Sequence, residues 1–358
     1  MKVKRSQLVE GCILADDVWI QSNQPLIRKK TVLQSEELKV LEAFLINEVE
    51  IEKKLESGEI VNIPEIIEID NENSVVDESF VEFYTEAVRE YKKFFQHWQA
   101  GSPINIKGIQ KLLYPLIGKV INDPTNIKLF PQLSKKEEYL AHHSIAVGVI
   151  AAYVGYKLNF SKEEWTQIGI AGILADCGMS QIPMSIMKKA GPLTTEEYEV
   201  VKKHPVHSYK MVSEIKELPN PVMLAVLQHH EREDGSGYPM AVPANKLHVY
   251  SQVVAIADVY NALTSERLYR SKKSSFMALE TIAIEEFGGF QHNIVQTLIH
   301  NIVTYSVGTK VKISNGKLAE IVFMDQKNLL RPLLKYVDTG EFINLADRLQ
   351  LQITEVLN

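Results

Sequence analysis

Hydrophobic residues recur at helical spacing through the middle of the chain and at alternate positions near its end. One such face consists of Phe80, Tyr84, Ala87, Tyr91, Phe94 and Trp98. Steps of three and four residues place these side chains on one side of a helix, which predicts an aromatic face buried in the core or at the seam of a homodimer. Val311 and Ile313 instead alternate with lysines before Asn315-Gly316, a pair that favours a two-residue hairpin turn.

Similar periodicity predicts a series of helices after this aromatic segment. They cover roughly 109–121, 136–158, 162–175, 195–215, 221–230, 247–265, 275–287 and 292–304. Thr194 with Glu197 predicts a capping box, and Asn220 is the candidate N-cap before Pro221. The expected architecture of this region is a bundle of packed helices.

The chain divides by pattern into four segments. Residues 1–60 combine short strands with one helix and predict a small N-terminal α/β unit. Residues 61–79 predict a linker, because the stretch from Pro64 to Ser79 holds six acidic residues and neither Lys nor Arg. Residues 80–304 predict the helical domain, and residues 305–358 predict a small C-terminal β module. The expected fold class is therefore mainly α, a helical bundle flanked by two small units.

Composition excludes several classes of protein. The 358 residues are 45% hydrophobic and 23% charged, as in ordinary globular proteins, and no apolar run approaches the roughly 18 residues of a membrane span. A net charge of −6 argues against a surface that coats nucleic acid, so DNA is not an expected partner. Two cysteines, Cys12 and Cys177, rule out a disulfide framework, and Cys177 is expected to be a core thiol. We therefore expect a cytoplasmic protein without a membrane span.

Six candidate metal ligands stand on or at the ends of different predicted helices. They are His143, Asp176, His204, His229, His230 and Asp258. Facing helices can direct such side chains to one centre, and imidazole with carboxylate suits divalent Fe, Mn, Zn or Ni. A single histidine on an apolar helix is more often a hydrogen-bonded core residue, but six of the ten histidines fall between His142 and His230. His229 and His230 can share one ion only where the backbone bends, which the glycines after them permit.

Five motifs, in this order along the chain, resemble the HD-GYP branch of the HD phosphohydrolases. The motifs are His142-His143-Ser144, Leu174-Ala175-Asp176-Cys177-Gly178, His204-Pro205, His229-His230-Glu231 with Asp234-Gly235-Ser236-Gly237-Tyr238-Pro239, and Ile256-Ala257-Asp258 followed by Ala262-Leu263-Thr264. The match covers roughly 135–300 and implies an HD-domain helical bundle. It also implies a bacterial signalling protein with a divalent transition metal as cofactor and cyclic di-GMP, or a related nucleotide, as ligand.

The resemblance further implies how the ligands divide between two metal ions. The sets are Asp176, His204, His229 and His230 for one ion, and His143, the bridging Asp176 and Asp258 for the other. The second ion lacks a fourth ligand, because Ala175 stands where the family has a histidine, and Met179 replaces the family's phosphate-facing lysine. We therefore expect one complete metal site, a weak second site, and a catalytic Asp176 that has lost its partners at positions 175 and 179.

The resemblance assigns nucleotide contacts to two further segments. Arg267 and Arg270 belong to a basic run after the last ligand helix and would bind phosphates or guanine edges through the planar donor fork of arginine. The alternative is that this run is a solvated surface. Gly235, Gly237 and Tyr238 either line the cleft or dock another protein, and the sequence leaves both open.

Three functions remain open at this point. The first is a cyclic di-GMP receptor that keeps its metal and ligand sites and whose phosphodiesterase activity is impaired or lost. The second is an attenuated but active phosphodiesterase. The third is a scaffold for signalling proteins in which the metal is only structural. One electrostatic group aimed at a transition state is typically worth about 2.7–4 kcal/mol, so the losses at Ala175 and Met179 favour the first function.

Overall fold

The computed structural model describes residues 2–4, 8, 10–19, 25–43, 46, 48–55, 78–189, 191–266, 272–303 and 305–357. The chain falls into two compact units, Met1–Asn73 and Ser74–Asn358. The aromatic face, the six candidate ligands and the C-terminal strands all belong to the second unit.

The first unit combines two short strands with one helix. Strand β1 (Lys2–Lys4) pairs antiparallel with β2 (Glu48–Glu50), and helix α1 (Ser35–Ala43) lies between them in the chain. Its own core contains the buried side chains of Cys12, Leu14, Leu33, Leu41 and Ile51. The predicted α/β character of this unit is present. Residues 56–77, which include most of the predicted acidic linker, lie outside the described residues, so the domain boundaries stay predictions.

The described part of the second unit contains twelve α-helices, which confirms the mainly helical fold class. They are α2 (Glu78–Gln99), α3 (Ile106–Asn122), α4 (Phe130–Leu133), α5 (Tyr139–Lys157), α6 (Lys162–Leu174), α7 (Met184–Met187), α8 (Thr195–Val201), α9 (His204–Ser213), α10 (Asn220–Gln228), α11 (Val249–Thr264), α12 (Ser275–Gly289) and α13 (His292–Ile302). Periodicity does not predict α4 and α7, because a single turn gives no repeat. None of the helices in the described ranges has both the length and the apolar character that crossing a bilayer requires.

The aromatic face of α2 lies in the core of the helical unit. Phe80, Tyr84, Tyr91 and Trp98 are at most 1% exposed. The Tyr91 and Trp98 rings meet edge to face with centroids 5.5 Å apart, while Tyr84 packs on Phe130 with centroids 5.3 Å apart. Of the two sequence interpretations, core and dimer seam, the structure therefore shows the core.

Helices α5 and α6 pack backbone to backbone and bring the first two candidate ligands together. Fifteen of the nineteen residues of α5 are buried. A Cβ on Gly172 would lie 2.9 Å from Cα of Gly148, so only glycine permits this approach. Because α6 runs back along α5, His143 near the start of α5 and Asp176 just after α6 lie at the same end of the pair.

Two helix ends differ from the sequence prediction. The helix predicted over 195–215 is two helices, α8 and α9, separated at residues 202–203, and Pro205 stands in the first turn of α9, where its missing N–H costs nothing. The N-cap of α10 is Pro219 rather than Asn220, which is already the first helical residue. The capping box of Thr194 and Glu197 is confirmed, because each residue's side chain bonds the other's backbone N–H.

The C-terminal module is a five-stranded antiparallel sheet whose apolar face joins the helical core. Its strands, β3 (Lys310–Ile313), β4 (Leu318–Phe323), β5 (Leu333–Tyr336), β6 (Phe342–Asn344) and β7 (Ile353–Leu357), lie in the order β6-β5-β4-β3-β7. The predicted hairpin joins β3 to β4, but its loop has three residues, 314–316, rather than two, because the N–H of Ile313 bonds the carbonyl oxygen of Lys317. Gly316 in this loop has a φ of +83°. The last strand, β7, begins only at Ile353.

Candidate metal centre

Four side chains from three parts of the helical unit converge on one point. Asp176 follows α6, His204 opens α9, and His229 and His230 follow α10. Each offers one ligand atom, and these atoms all lie within 4.8 Å of one another. Three imidazoles and a carboxylate form a donor set that suits a divalent transition metal. The described residues thus include a cluster that can hold such an ion.

Backbone hydrogen bonds fix the ring orientation of two of these histidines. Nδ1 of His204 donates to the carbonyl oxygen of Val201, and Nδ1 of His229 donates to that of Val226, each at 2.8 Å. A neutral imidazole that carries its proton on Nδ1 has an acceptor at Nε2. The two Nε2 atoms lie only 3.3 Å apart. Two lone pairs that face each other at this distance fit a shared cation, and the backbone bonds orient both ligands for it.

Asp176 divides its carboxylate between two groups of histidines. Oδ1 lies 3.0 Å from Nε2 of His204 and 3.8 Å from Nε2 of His229. Oδ2 lies 3.5 Å from Nε2 of His143. Asp176 stands between the end of α6 and a 3-10 turn at Cys177–Gln181, where the backbone leaves the helical path. This is the placement that a carboxylate bridging two ions requires.

His143 connects α5 to α11 beside the four-ligand cluster. Its Nε2 lies 2.8 Å from Oδ1 of Asp258, and its Nδ1 lies 2.8 Å from Oδ1 of Asn261. Tyr139, one turn earlier on α5, stacks on the imidazole with ring centroids 5.1 Å apart. Oδ2 of Asp258 lies 3.7 Å from Nδ1 of His230. The three ligands expected for a second ion therefore adjoin the cluster of the first.

A folded loop holds Tyr238 against the cluster. The carboxylate of Glu231 is buried and accepts hydrogen bonds from the backbone N–H groups of Met240 at 2.7 Å and Val242 at 3.2 Å. These bonds draw the loop after α10 back toward its start. The Tyr238 ring consequently lies 4.7 Å from the ring of His230, centroid to centroid.

The bend at the paired histidines does not depend on the glycines of this loop, in contrast to the sequence expectation. Helix α10 ends at Gln228, so the helix end itself supplies the bend that brings the His229 and His230 rings to 4.1 Å. Gly235 has a φ of +75°, which other residues rarely adopt. A Cβ on Gly237 would lie 2.5 Å from the carbonyl oxygen of His230, so glycine is needed where the loop returns onto the cluster.

Burial and neighbouring groups set the charges of the cluster. Burial alone would raise the pKa of Asp176, but the neighbouring imidazoles of His204, His229 and His143 hold that pKa well below its usual range. Burial, reinforced by the adjacent His229, holds the pKa of His230 well below its usual range. An ionised carboxylate and a neutral imidazole are the states in which these groups bind metals. Burial raises the pKa of the Cys177 thiol to about 12, so this residue is the inert core thiol that the sequence predicts.

Comparison with known families decides what this arrangement of helices and ligands represents. The family model for the HD domain matches residues 129–286, which contain all six candidate ligands. Over these residues the chain matches the HD domain. Its HD domain begins beside α4 and ends within α12, so that α2, α3 and the C-terminal sheet lie outside the matched range.

The chain is also similar to two curated cyclic di-GMP phosphodiesterases. It is 27% identical over 241 residues to PA4108 of Pseudomonas aeruginosa, a match that covers 67% of this chain and 58% of that protein. It is 35% identical over 151 residues to the response regulator RpfG of Xanthomonas campestris pv. campestris, which covers 42% of this chain and 40% of that protein. The chain therefore spans about half the length of these relatives.

A solved structure supports the fold of the HD domain and its flanking elements. Bd1817, an HDG"Y"P protein from Bdellovibrio bacteriovorus, superimposes with a TM-score of 0.51 at 14% sequence identity. The superposition covers 83% of this chain and 97% of that one. At this level of identity the likeness shows the fold alone.

Two positions near Asp176 provide neither a ligand nor a charge. Ala175, directly before Asp176, is 4% exposed and has no ligating atom. Met179 lies in the 3-10 turn after Asp176 and is uncharged. Asn261 is a site residue whose contact with His143 the sequence does not predict, although its spacing of three residues after Asp258 places it on the same helix face.

The predicted nucleotide contacts of the basic run can be located only in part. Arg267 and Arg270 lie outside the described residues, so their role stays a prediction. Lys273, from the same run, donates to Oγ1 of Thr281 at 2.9 Å and so is engaged within the HD domain.

The ammonium group of Lys202 lies close to the cluster of candidate ligands. Nζ of Lys202 lies 5.5 Å from the centre of the Tyr238 ring and 5.7 Å from that of Tyr198. It also pairs with Glu199 at 2.9 Å. Since Tyr238 packs on His230, this ammonium group and the half-exposed Tyr198 ring flank the approach to a candidate ligand.

Proposed function

We propose that this protein is a cyclic di-GMP signalling protein of the HD-GYP type that binds one divalent transition metal and the nucleotide beside it. Its phosphodiesterase activity is impaired or lost. Asp176, His204, His229 and His230 hold the metal, and Asp176 connects this site to a weak second one at His143 and Asp258.

The observation that carries this proposal is the contrast between complete and incomplete ligand sets around Asp176. One oxygen of Asp176 faces a cluster of four ligands, whereas the other faces His143, with Ala175 directly before it in the chain. A bound divalent metal supplies positive charge for a phosphate oxygen and lowers the pKa of water. With one ion held firmly, the site keeps the charge that binds a phosphodiester but lacks part of the charge that stabilises the transition state for its hydrolysis.

The charges around the cluster support an anionic ligand. His143, His204, His229 and His230 place four imidazoles around the carboxylates of Asp176 and Asp258. A divalent ion added to this set offsets the charge of the two carboxylates and offers a phosphate oxygen a direct ligand position. The ammonium of Lys202 and the ring of Tyr198 are suited to a phosphate and a base, respectively, since a lysine is a point charge for phosphate and an aromatic ring stacks on bases.

The deciding experiment combines metal content, ligand binding and turnover on one sample. Purified protein is loaded anaerobically with Mn(II) or Fe(II), its metal is counted by mass spectrometry, and cyclic di-GMP is added for calorimetry and for product analysis. We expect about one ion per chain, measurable binding, and product at a rate reduced by at least about 100-fold relative to an intact relative. Metal-loaded protein that does not bind cyclic di-GMP would overturn the proposal and favour a scaffold with a structural metal.

An attenuated phosphodiesterase is the second candidate, and one observation favours it. His143 keeps its contacts with both Asp176 and Asp258, so three ligands of the second ion remain together. Catalytic metal sites often have only three protein ligands. Two bound ions and steady formation of linear dinucleotide by the natural sequence would establish this second function.

A further inference from the structure

Ser208 is a buried hydroxyl that joins the turn of Asp176 to the helix of His204. Its Oγ donates to the carbonyl oxygen of Ala175 at 2.6 Å and accepts from the N–H of Gly178 at 2.8 Å. These two backbone groups flank Asp176 on either side. Ser208 is fully buried, so water does not compete for either bond.

The position of Ser208 on α9 couples these bonds to a second ligand. Ser208 follows His204 by four residues, which places both side chains on one face of the helix. The hydrogen bonds that hold the Asp176 turn to Ser208 therefore also set the distance between Asp176 and His204. That distance is 3.0 Å between Oδ1 of Asp176 and Nε2 of His204.

Close packing of the same turn on α9 leaves little room for adjustment. A Cβ on Gly178 would lie 2.3 Å from the carbonyl oxygen of His204 and 2.3 Å from the backbone nitrogen of Ser208. The turn therefore lies directly on the backbone of α9. The Ser208 hydroxyl holds it there through one bond to the residue before Asp176 and one to Gly178.

We propose that Ser208 is a positioning residue of the metal centre, which orients Asp176 toward His204 and so sets the affinity and geometry of the four-ligand site. This inference rests on the proposed metal binding. In this proposal one hydroxyl fixes the relative position of two ligands, Asp176 and His204, that come from different helices. Groups that orient metal ligands in this way typically contribute a factor of about 10–100 to metal affinity.

The test compares Ser208→Ala with Thr264→Val, a control that removes another fully buried hydroxyl. Oγ1 of Thr264 donates to the backbone carbonyl oxygens of Tyr260 and Asn261 within α11, and neither bond involves the side chain of a candidate ligand. Co(II) is titrated into each metal-free protein and followed by its visible absorption, while thermal unfolding is recorded without metal. Ser208→Ala should bind Co(II) about 10–100-fold more weakly and with an altered spectrum. Thr264→Val should keep the affinity and spectrum of the natural protein.

Several results would overturn the role of Ser208. Equal Co(II) affinity and identical spectra in the natural protein and Ser208→Ala would leave Ser208 a purely structural hydroxyl, even if both substitutions lower the melting temperature. Failure of the natural protein to bind Co(II) would refute the proposed metal site as well, and so is distinguishable from the first result. If Ser208→Ala does not fold, Ser208→Cys keeps the volume with a weaker donor and should shift affinity and spectrum in the same direction.

Discussion

The Nε2 atoms of His204 and His229 face each other at 3.3 Å across the centre of the HD domain. Because the Nδ1 atom of each ring donates to a backbone carbonyl, neither Nε2 carries a proton in the neutral tautomer. A metal that binds both rings turns this approach of two lone pairs into two ligand bonds.

Replacing His204 by Ala should abolish tight metal binding. The substitution removes a first ligand, which costs more than the factor of about 10–100 typical of groups that only orient a ligand. His207→Ala is the matched control, since His207 lies on the same helix but outside the cluster. Metal at 100 times its Kd should stabilise the natural protein and His207→Ala by about 2.7 kcal/mol, with no such gain for His204→Ala. Equal metal content in both variants would contradict the assignment.

Restoring the two missing groups should raise turnover. Ala175→His with Met179→Lys adds an imidazole and an ammonium group next to Asp176, and each such electrostatic group is typically worth about 2.7–4 kcal/mol. We expect the double variant to bind two ions per chain and to hydrolyse cyclic di-GMP at least about 100-fold faster than the natural protein. Met179→Lys alone is the control, because it restores charge without a ligand. A double variant that binds two ions and remains inactive would show that the nucleotide cleft itself has changed.

Removing the charge of Lys202 should weaken nucleotide binding without affecting the metal. A hydrogen bond to a charged group contributes about 1.5–3 kcal/mol, so Lys202→Gln should raise the Kd for cyclic di-GMP by roughly 10–100-fold. Lys210→Gln makes the same charge change on the exposed surface of α9 and should leave the Kd unchanged. Calorimetry on metal-loaded samples measures both. If the two variants bind equally well, the ammonium of Lys202 does not contact the nucleotide.

Acid should destabilise the fold through His248, independently of metal. Burial lowers the pKa of His248, whose Nδ1 accepts a hydrogen bond from the N–H of Tyr250 at the start of α11. Since the folded pKa lies below the unfolded value of about 6.5, the unfolded chain binds the proton more readily, and the free energy of unfolding falls as pH decreases below that value. His248→Asn keeps a cap acceptor that does not titrate in this range.

Urea unfolding between pH 5 and 8 measures this effect. The stability of His248→Asn relative to the natural protein should rise as pH falls below about 6.5. The exposed His97→Asn is the control and should follow the natural protein at every pH. A constant difference between His248→Asn and the natural protein over the whole range would mean that protonation of His248 does not couple to folding.

Much of this protein could be predicted from local pattern. The periodicity of α2 predicts its buried aromatic face, and the hairpin at Asn315-Gly316 follows from the turn preference of that pair. The order of motifs between His142 and Thr264 indicates the HD domain, which the family comparison confirms. These features depend on residues close to one another in the chain, because helix repeats and turns are local.

Packing between distant segments decided the rest. Residues 202–203 interrupt the helix predicted over 195–215, and this break places His204 at the first position of α9. Asn261 reaches His143 across 118 positions of sequence, and Ser208 reaches Ala175 across 33. The sequence by itself determined which residues have the chemistry to hold a metal. Only the tertiary structure decided which of their atoms face one another, because the contacts of Asp176 with His143 and His204 join residues of different helices.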